Sequence, residues 1–375
     1  MNLPPKILQK ISNRIQDNEL RTLDFSNNLI DFYSNDYLGF ARNEAIFEQV
    51  NLFLEQKKIK TNGATGSRLI SGNYHWYETV EEEIATFHQV EKALIYNNGY
   101  AANLGLISAI AQKDCVILYD QYCHASILDG IRLGFAKFYK YPHLDDNYLE
   151  KLLKKHHNET VFVITESLFS MDGTIPVLKN TASLCEKYNA YLIVDEAHAL
   201  GVLGKNGCGL VQDLQLENQV FARIVTFGKA MGCHGAAVLG SEKLHQYLIN
   251  FSRSFIYSTA LPPHAMATIK ISYEYLKNNS FLVENLHQKI KFYGKDQEEF
   301  MPNSPIQTLK IGNTEGAKDI ANKLKINKIN VKAIVSPTIS KGSERLRICL
   351  HNFNTDEEIK TLTKHINQWK KEQYL

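Results

Sequence analysis

The chain is expected to be an α/β protein: a large domain built on a mainly parallel sheet flanked by helices, then a small C-terminal α+β domain. Three observations carry that expectation. Four runs rich in Val, Ile and Leu, CVILYD (115–120), VFVITES (161–167), YLIVDEAH (191–198) and RIVTFG (223–228), have the near-continuous apolar character of strands buried on both faces. Between them lie stretches such as DDNYLEKLLKKHH and VLKNTASLCEKYN with helical apolar spacing, the alternation of parallel strands joined by crossover helices. After about residue 270 the pattern turns into short strands and helices of a different rhythm.

In that second part SYEYLKNN opens a helical segment, PIQTLKIG reads as a strand, TEGAKDIANKLKIN as a helix, and VKAIVSP and ERLRICLHNF as strands. TDEEIKTLTKHINQWKKEQ closes the chain as a helix with Thr355 as its N-cap. In ERLRICL a period of two sets Arg345 and Arg347 on one face and Leu346, Ile348 and Leu350 on the other. The expected organisation is an N-terminal arm (1–37), a large domain (38–270) and a small C-terminal domain (271–375).

Composition narrows the function. Hydrophobic residues make up 44% and charged residues 22%, as in globular proteins. Forty-two Lys and Arg against 40 Asp and Glu leave a net charge of +2, with no basic block interleaved with aromatics, which argues against nucleic acid as a partner. The start has no signal-peptide character and no run of about eighteen apolar residues occurs, so a cytoplasmic protein without a membrane partner is expected. The six cysteines form no C-x-x-C pair and are expected to be reduced and mostly buried. No metal site is expected.

Ligands of open α/β sheets sit beyond the carboxyl ends of the strands. The polar residues of this chain gather there: Asp120 and His124 after the first run, Glu166 and Ser170 after the second, Asp195 and His198 after the third, Thr226 and Lys229 after the fourth. Lys229, in VTFGKAMGCHGAAVLG, is not a P-loop lysine, because no glycine stands five residues before Gly228 and no hydroxyl follows the lysine. No G-x-G-x-x-G opens a helix after a strand, which removes a dinucleotide fingerprint. The glycines at 228, 232 and 235 allow close approach of a ligand, and a lysine in an enclosed site is suited to nucleophilic use. A Schiff base to the aldehyde of pyridoxal 5'-phosphate is the natural use. Asp195 is then the carboxylate that faces the protonated ring nitrogen.

Eight stretches in order, YSNDYLGF (33–40), TNGATGSRLISGNYHWYE (61–78), YNNGYAANLG (96–105), DQYCHASILDG (120–130), TESLFSMDGTIPVL (165–178), VDEAHALGVLGKNGCGL (194–210), VTFGKAMGCHGAAVLGS (225–241) and FIYSTALPP (255–263), resemble the α-oxoamine synthases. The resemblance runs from about residue 20 to ERLRICL. It implies a pyridoxal-phosphate-dependent transferase of fold type I that condenses an amino acid with an acyl thioester and decarboxylates the adduct. It also implies residue roles. Lys229 holds the cofactor covalently and removes the α proton; Asp195 pairs with the pyridine nitrogen, His198 reaches the phenolic oxygen and His124 stacks on the ring. Gly99, Tyr100 and Thr226 bind the phosphate, and Ser170 bonds the ring oxygen. Ser258 and Thr259 reach the phosphate from a partner subunit, which implies a homodimer with shared active sites. Arg347 forks onto the amino-acid carboxylate, assisted by Asn35, while Arg21 and Thr338 lie on the acyl side. Departures from the family pattern fall at Tyr77, where a histidine is usual, at Ala199 and Leu200, and at Val335, Ser336 and Pro337; none removes a catalytic group.

Overall fold

In the computed structural model, which describes residues 3–23 and 28–373, all four apolar runs are strands of one sheet. The first two residues and 24–27 of the expected arm, with the last two residues of the chain, lie outside the described residues. The chain divides into a larger unit, Asn35–Ser170 with Thr174–His287, and a smaller one, Met1–Ser34 with Met171–Gly173 and Gln288–Leu375.

Strands are numbered along the chain. β1 (Ile30–Asp31) belongs to the smaller unit; β2 (Lys92–Tyr96), β3 (Cys115–Asp120), β4 (Lys137–Tyr141), β5 (Thr160–Glu166), β6 (Tyr191–Asp195), β7 (Val220–Thr226) and β8 (Ala236–Gly240) belong to the larger. Among the described residues these seven form one sheet in the order β2-β8-β7-β6-β5-β3-β4. β3 to β7 run parallel, and β8 is antiparallel to both its neighbours, β2 and β7. Every residue of β3 is buried, as expected of a strand covered on both faces. β6 ends at Asp195, so the EAH of YLIVDEAH is already loop.

Several helices start where a short polar side chain satisfies a first-turn N–H group. Asn98 accepts from Ala101 N–H at 2.8 Å to open Gly99–Ile110, and Asp145 accepts from Tyr148 N–H at 2.8 Å to open Asp146–Lys155. One face of the sheet packs against Gly99–Ile110 and Ala125–Leu133, through Leu106, Ile107, Ile117, Ile127, Ile131 and Ile164. Both helices begin beyond the carboxyl ends of strands, which brings their N-termini to the functional edge of the sheet.

In the smaller unit β9 (Ile306–Lys310), β11 (Lys332–Ile334) and β12 (Arg345–Cys349) form an antiparallel sheet in the order β11-β12-β9, and β1 pairs with β10 (Ile329–Asn330). The closing helix Asp356–Gln373 begins with a reciprocal cap: Glu358 N–H donates to Thr355 Oγ1 at 3.2 Å and Thr355 N–H to Glu358 Oε2 at 2.8 Å. Arg345 and Arg347 share one face of ERLRICL as the period of two sets them, and that face is covered as well, for both are buried. Arg345 pairs with Asp172, and Arg347 Nη1 donates to Cys349 Sγ at 3.0 Å. Two residues apart on one strand face, Arg347 and Cys349 meet because the period of two puts them together.

Candidate active site

Strand register does the first work of assembly. The pairing of β5 with β6 sets Glu166 directly beside Asp195, and β6 beside β7 sets Asp195 opposite Ile224, two residues before Thr226. Beyond these ends a cleft of about 160 Å³ is lined by Gly99, Tyr100, Asn103, His124, Glu166, Asp195, Ala197, His198, Thr226 and Lys229. Eight of the residues singled out from the sequence therefore meet at one place.

Lys229 stands on the connection between β7 and antiparallel β8. Phe227 N–H donates to Gly235 O at 2.9 Å, Cys233 N–H to Phe227 O at 2.9 Å and Gly232 N–H to Lys229 O at 2.9 Å, so the connection is tied to itself at three points. Gly232 has φ +64° and comes so close to the 40–41 backbone that a Cβ there would lie 2.2 Å from Ala41 N. Glycine is needed for both reasons. Met231 is fully buried, whereas His234 is exposed, so simple packing around the lysine accounts for the first and not the second.

Asp195 is held from two sides. Its Oδ1 accepts Ala197 N–H at 2.8 Å, and its Oδ2 accepts Asn103 Nδ2–H at 2.7 Å. Asn103 also donates to Ser126 Oγ at 3.1 Å, and Ser126 Oγ lies 2.8 Å from His124 Nδ1. His124 N–H donates to Glu166 Oε1 at 2.6 Å. Burial, more than the nearby Lys229 charge, holds the His124 imidazole below its ordinary pKa, although Asp195 pulls the other way. Burial and then the Asp195 charge push the Glu166 carboxyl well up, against Lys229 and the His124 N–H. Glu166 is thereby biased towards its neutral form.

His198 Nδ1 lies 2.8 Å from Tyr37 Oη, and Tyr37 donates to Asn35 Oδ1 at 3.2 Å. Asn35 is thus joined to a cleft residue through a tyrosine that sequence reasoning did not single out. Thr226 Oγ1 donates to Gly235 O at 3.2 Å and sits where a Cβ on Gly99 would be 3.4 Å away, so the hydroxyl faces the start of helix Gly99–Ile110.

The remaining residues lie elsewhere. Ser170 is buried in the turn after β5 and does not line the cleft. Ser258 lines a separate small depression with Arg68, Tyr77 and Asn97, and Thr259 O accepts Asn97 Nδ2–H at 2.7 Å. Tyr77 is buried under the Arg68 guanidinium, which lies 4.1 Å from its ring centroid, and accepts Leu261 N–H at 2.9 Å. In the smaller unit Arg21 Nη2 donates to Thr338 Oγ1 at 3.1 Å, which pairs the two residues expected on the acyl side, and Arg347 is on β12. Asp120 holds a turn: it accepts Tyr122 N–H and Leu144 N–H and meets His143 Nδ1 at 2.9 Å. Five cysteines are buried and Cys233 is half-buried.

Asn103, Tyr37 and the use of Glu166 were missed. Asn103 is a polar residue in a helix whose neighbours Ala102, Leu106 and Ile107 are all core, and a buried amide in such a helix is itself a signal.

The donor set fits pyridoxal phosphate. An amine for an aldehyde, a carboxylate for a ring nitrogen, imidazoles for the ring, and a helix N-terminus with a hydroxyl for a phosphate converge in one cleft. Gly99, whose missing Cβ leaves the space before Thr226, completes the fit.

Residues 27–366 match the family described as aminotransferase class I and II. An 8-amino-7-oxononanoate synthase of Emericella nidulans is 36% identical, with 91% of this chain and 89% of that protein covered. The solved 8-amino-7-oxononanoate synthase of Francisella tularensis superposes with a TM-score of 0.79 at 31% identity, covering 93% of this chain and all of that one. The serine palmitoyltransferase of Sphingomonas wittichii reaches a TM-score of 0.88 over 99% of this chain and 98% of its own, at 23% identity, a likeness of fold.

Proposed function

Because this chain belongs to the class I and II aminotransferase family of pyridoxal-phosphate enzymes, we propose that it is an acyltransferase of the 8-amino-7-oxononanoate synthase type, joining L-alanine to a pimeloyl thioester with loss of CO2 and free thiol. The observation that carries the reading is the meeting of Lys229, Asp195, His124 and His198 in one cleft at the start of helix Gly99–Ile110. The similarity to 8-amino-7-oxononanoate synthases over about nine-tenths of the chain supports the choice of acyl chemistry and its place in biotin synthesis.

When bound, pyridoxal phosphate supplies an aldehyde for a primary amine and a ring able to accept the electron pair left on an α carbon. Lys229 supplies the primary amine and, from the same tethered position, takes the proton from the α carbon of alanine and later returns one to the product. Positioned proton transfer of this kind contributes about 10²–10⁴-fold. Asp195, held in place by two N–H donors, would keep a positive charge at the ring nitrogen. His124 would cover the ring, and His198, braced by Tyr37, would reach its oxygen. Thr226 with the N–H groups of Gly99 and Tyr100 would bind the phosphate. In the same reading Arg347 and Asn35 bind the alanine carboxylate, Arg21 and Thr338 flank the acyl chain, and Ser258 and Thr259 serve the partner's site in a cytoplasmic homodimer.

Incubating the holoenzyme with alanine or glycine against pimeloyl-CoA and acetyl-CoA, while following thiol release, tests the reading. Alanine with pimeloyl-CoA is the expected pair. Preference for glycine with acetyl-CoA would replace the biotin-pathway assignment by glycine C-acetyltransferase, and failure of borohydride to fix a reduced cofactor on Lys229 would remove the enzyme reading altogether.

A further inference from the structure

We propose that Asn103 is a positioning residue that binds Asp195 and His124 into one hydrogen-bonded unit: one amide proton orients the Asp195 carboxylate, and the other, relayed by Ser126, keeps the His124 proton on Nε2. The proposal rests on the reading that Asp195 and His124 face the cofactor ring.

Asn103 is 2% exposed, on the side of helix Gly99–Ile110 that meets the ends of the strands. Its Nδ2 carries two protons and has two acceptors, Asp195 Oδ2 at 2.7 Å and Ser126 Oγ at 3.1 Å. Its Oδ1 has no partner among the described residues. The amide nonetheless has one orientation, because turning it over would press Oδ1 against the carboxylate. The charge on Asp195 therefore fixes which way Asn103 points.

The next link follows from counting protons. Ser126 Oγ accepts from Asn103 and has one proton left, aimed at His124 Nδ1 at 2.8 Å. Ser126 N–H points at the same nitrogen from 3.3 Å. Nδ1 is thus an acceptor twice over, and the proton of the neutral imidazole sits on Nε2. Protonating Nδ1 would break both contacts. Asp195 and Asp129 favour that protonation, Lys229 opposes it, Glu166 engages only the His124 backbone, and the Tyr100 ring stands edge-on at 6.3 Å. Asn103, Ser126 and Asp195 are buried and both amide protons of Asn103 are committed, so the state of one end is felt at the other.

The consequence for the reaction is that the two groups do not act separately. Losing the charge on Asp195 frees Asn103 to turn, lets the Ser126 hydroxyl rotate and releases His124 from its tautomer.

The test is long-range ¹H–¹⁵N spectroscopy of full-length, cofactor-loaded protein labelled in histidine. The wild type is expected to show His124 Nδ1 unprotonated and Nε2 protonated. Asn103→Leu, close in shape but without donors, should move the His124 nitrogen signals although residue 103 touches neither ring nitrogen, and should lower kcat about tenfold with little change in the KM for the amino acid. Ser126→Ala, a milder change in case Asn103→Leu does not fold, should move the same signals, and the double variant should move them no further than the larger single change. A protonated Nδ1 in the wild type, unmoved signals in Asn103→Leu, or fully additive shifts would each overturn the relay. These spectra do not depend on which thioester is used, so a failed substrate assignment and a failed relay are distinguishable.

Discussion

Replacing Arg223 by methionine should be among the most damaging single changes in the larger unit. Arg223 is 1% exposed on β7 and Glu196, the residue after Asp195, is fully buried. The guanidinium donates to Glu196 Oε2 through Nε at 2.7 Å and Nη2 at 2.6 Å, to His88 O at 3.1 Å and to Cys208 O at 3.0 Å. Methionine fills much of the volume but leaves a buried carboxylate without its cation, a loss of about 3–5 kcal/mol. With an unfolding entropy of about 2.1 cal/mol/K per residue, or about 0.8 kcal/mol/K for 375 residues, a loss of 4 kcal/mol lowers Tm by about 5 °C. The diagnostic is the second substitution. Glu196→Gln keeps an oxygen for Leu210 N–H (2.7 Å) and Val211 N–H (3.1 Å) while removing the charge. Arg223→Met with Glu196→Gln should therefore recover at least half of the loss in urea or thermal melts. A single variant that loses less than about 1 kcal/mol, or a double variant no better than the single, would show that the buried charge is not what the arginine balances.

Asp195→Asn should keep the cofactor, seen by its absorbance, but lower turnover about 10²–10⁴-fold; turnover near wild type would misplace the ring-nitrogen argument. Gly232→Ala combines a φ of +64° with a Cβ 2.2 Å from Ala41 N and should cost about 2–4 kcal/mol, read from urea midpoints, with a neutral result refuting the close approach. Burial and then the Arg223 charge hold His88 well below 6.5, so below that pH the unfolded chain takes up a proton that the folded one refuses. Stability is then present above about pH 6.5 and is lost as the pH falls, at about 1.4 kcal/mol per pH unit for this group. The depressed His124 and His245 act with the same sign, and His88→Gln should flatten the slope between pH 7 and 5 by one proton.

The central strands were legible because burial on both faces demands continuous Val, Ile and Leu, and β3, β5, β6 and β7 meet that demand. Three strands of the same sheet were not. β4, KFYKY, is an edge strand with exposed lysines, β2 is a short KALIY, and β8, AAVLG, looks like the tail of a glycine-rich loop because alanine and glycine carry little strand preference. At the site, residues at strand ends could be read locally, since topology alone sends Asp195, Thr226 and Lys229 to one edge. Asn103 and Tyr37 could not, because they matter through partners 92 and 161 residues away. The buried arginines on β12 show a further limit: alternation separates the two faces of a strand but does not say whether either is open.

The connection from β7 to β8 also has a meaning for protein engineering. Because it is tied to itself at both ends, it presents successive side chains in fixed directions: Gly228 is exposed, Lys229 half-buried at the cleft, Ala230 1% exposed in the core. The fold offers one address for an amine, not a neighbourhood. A lysine transplanted to 228 or 230 would be delivered to solvent or to the interior. In a Lys229→Ala background, activity is therefore expected to return with small soluble amines and not with a lysine moved along the chain.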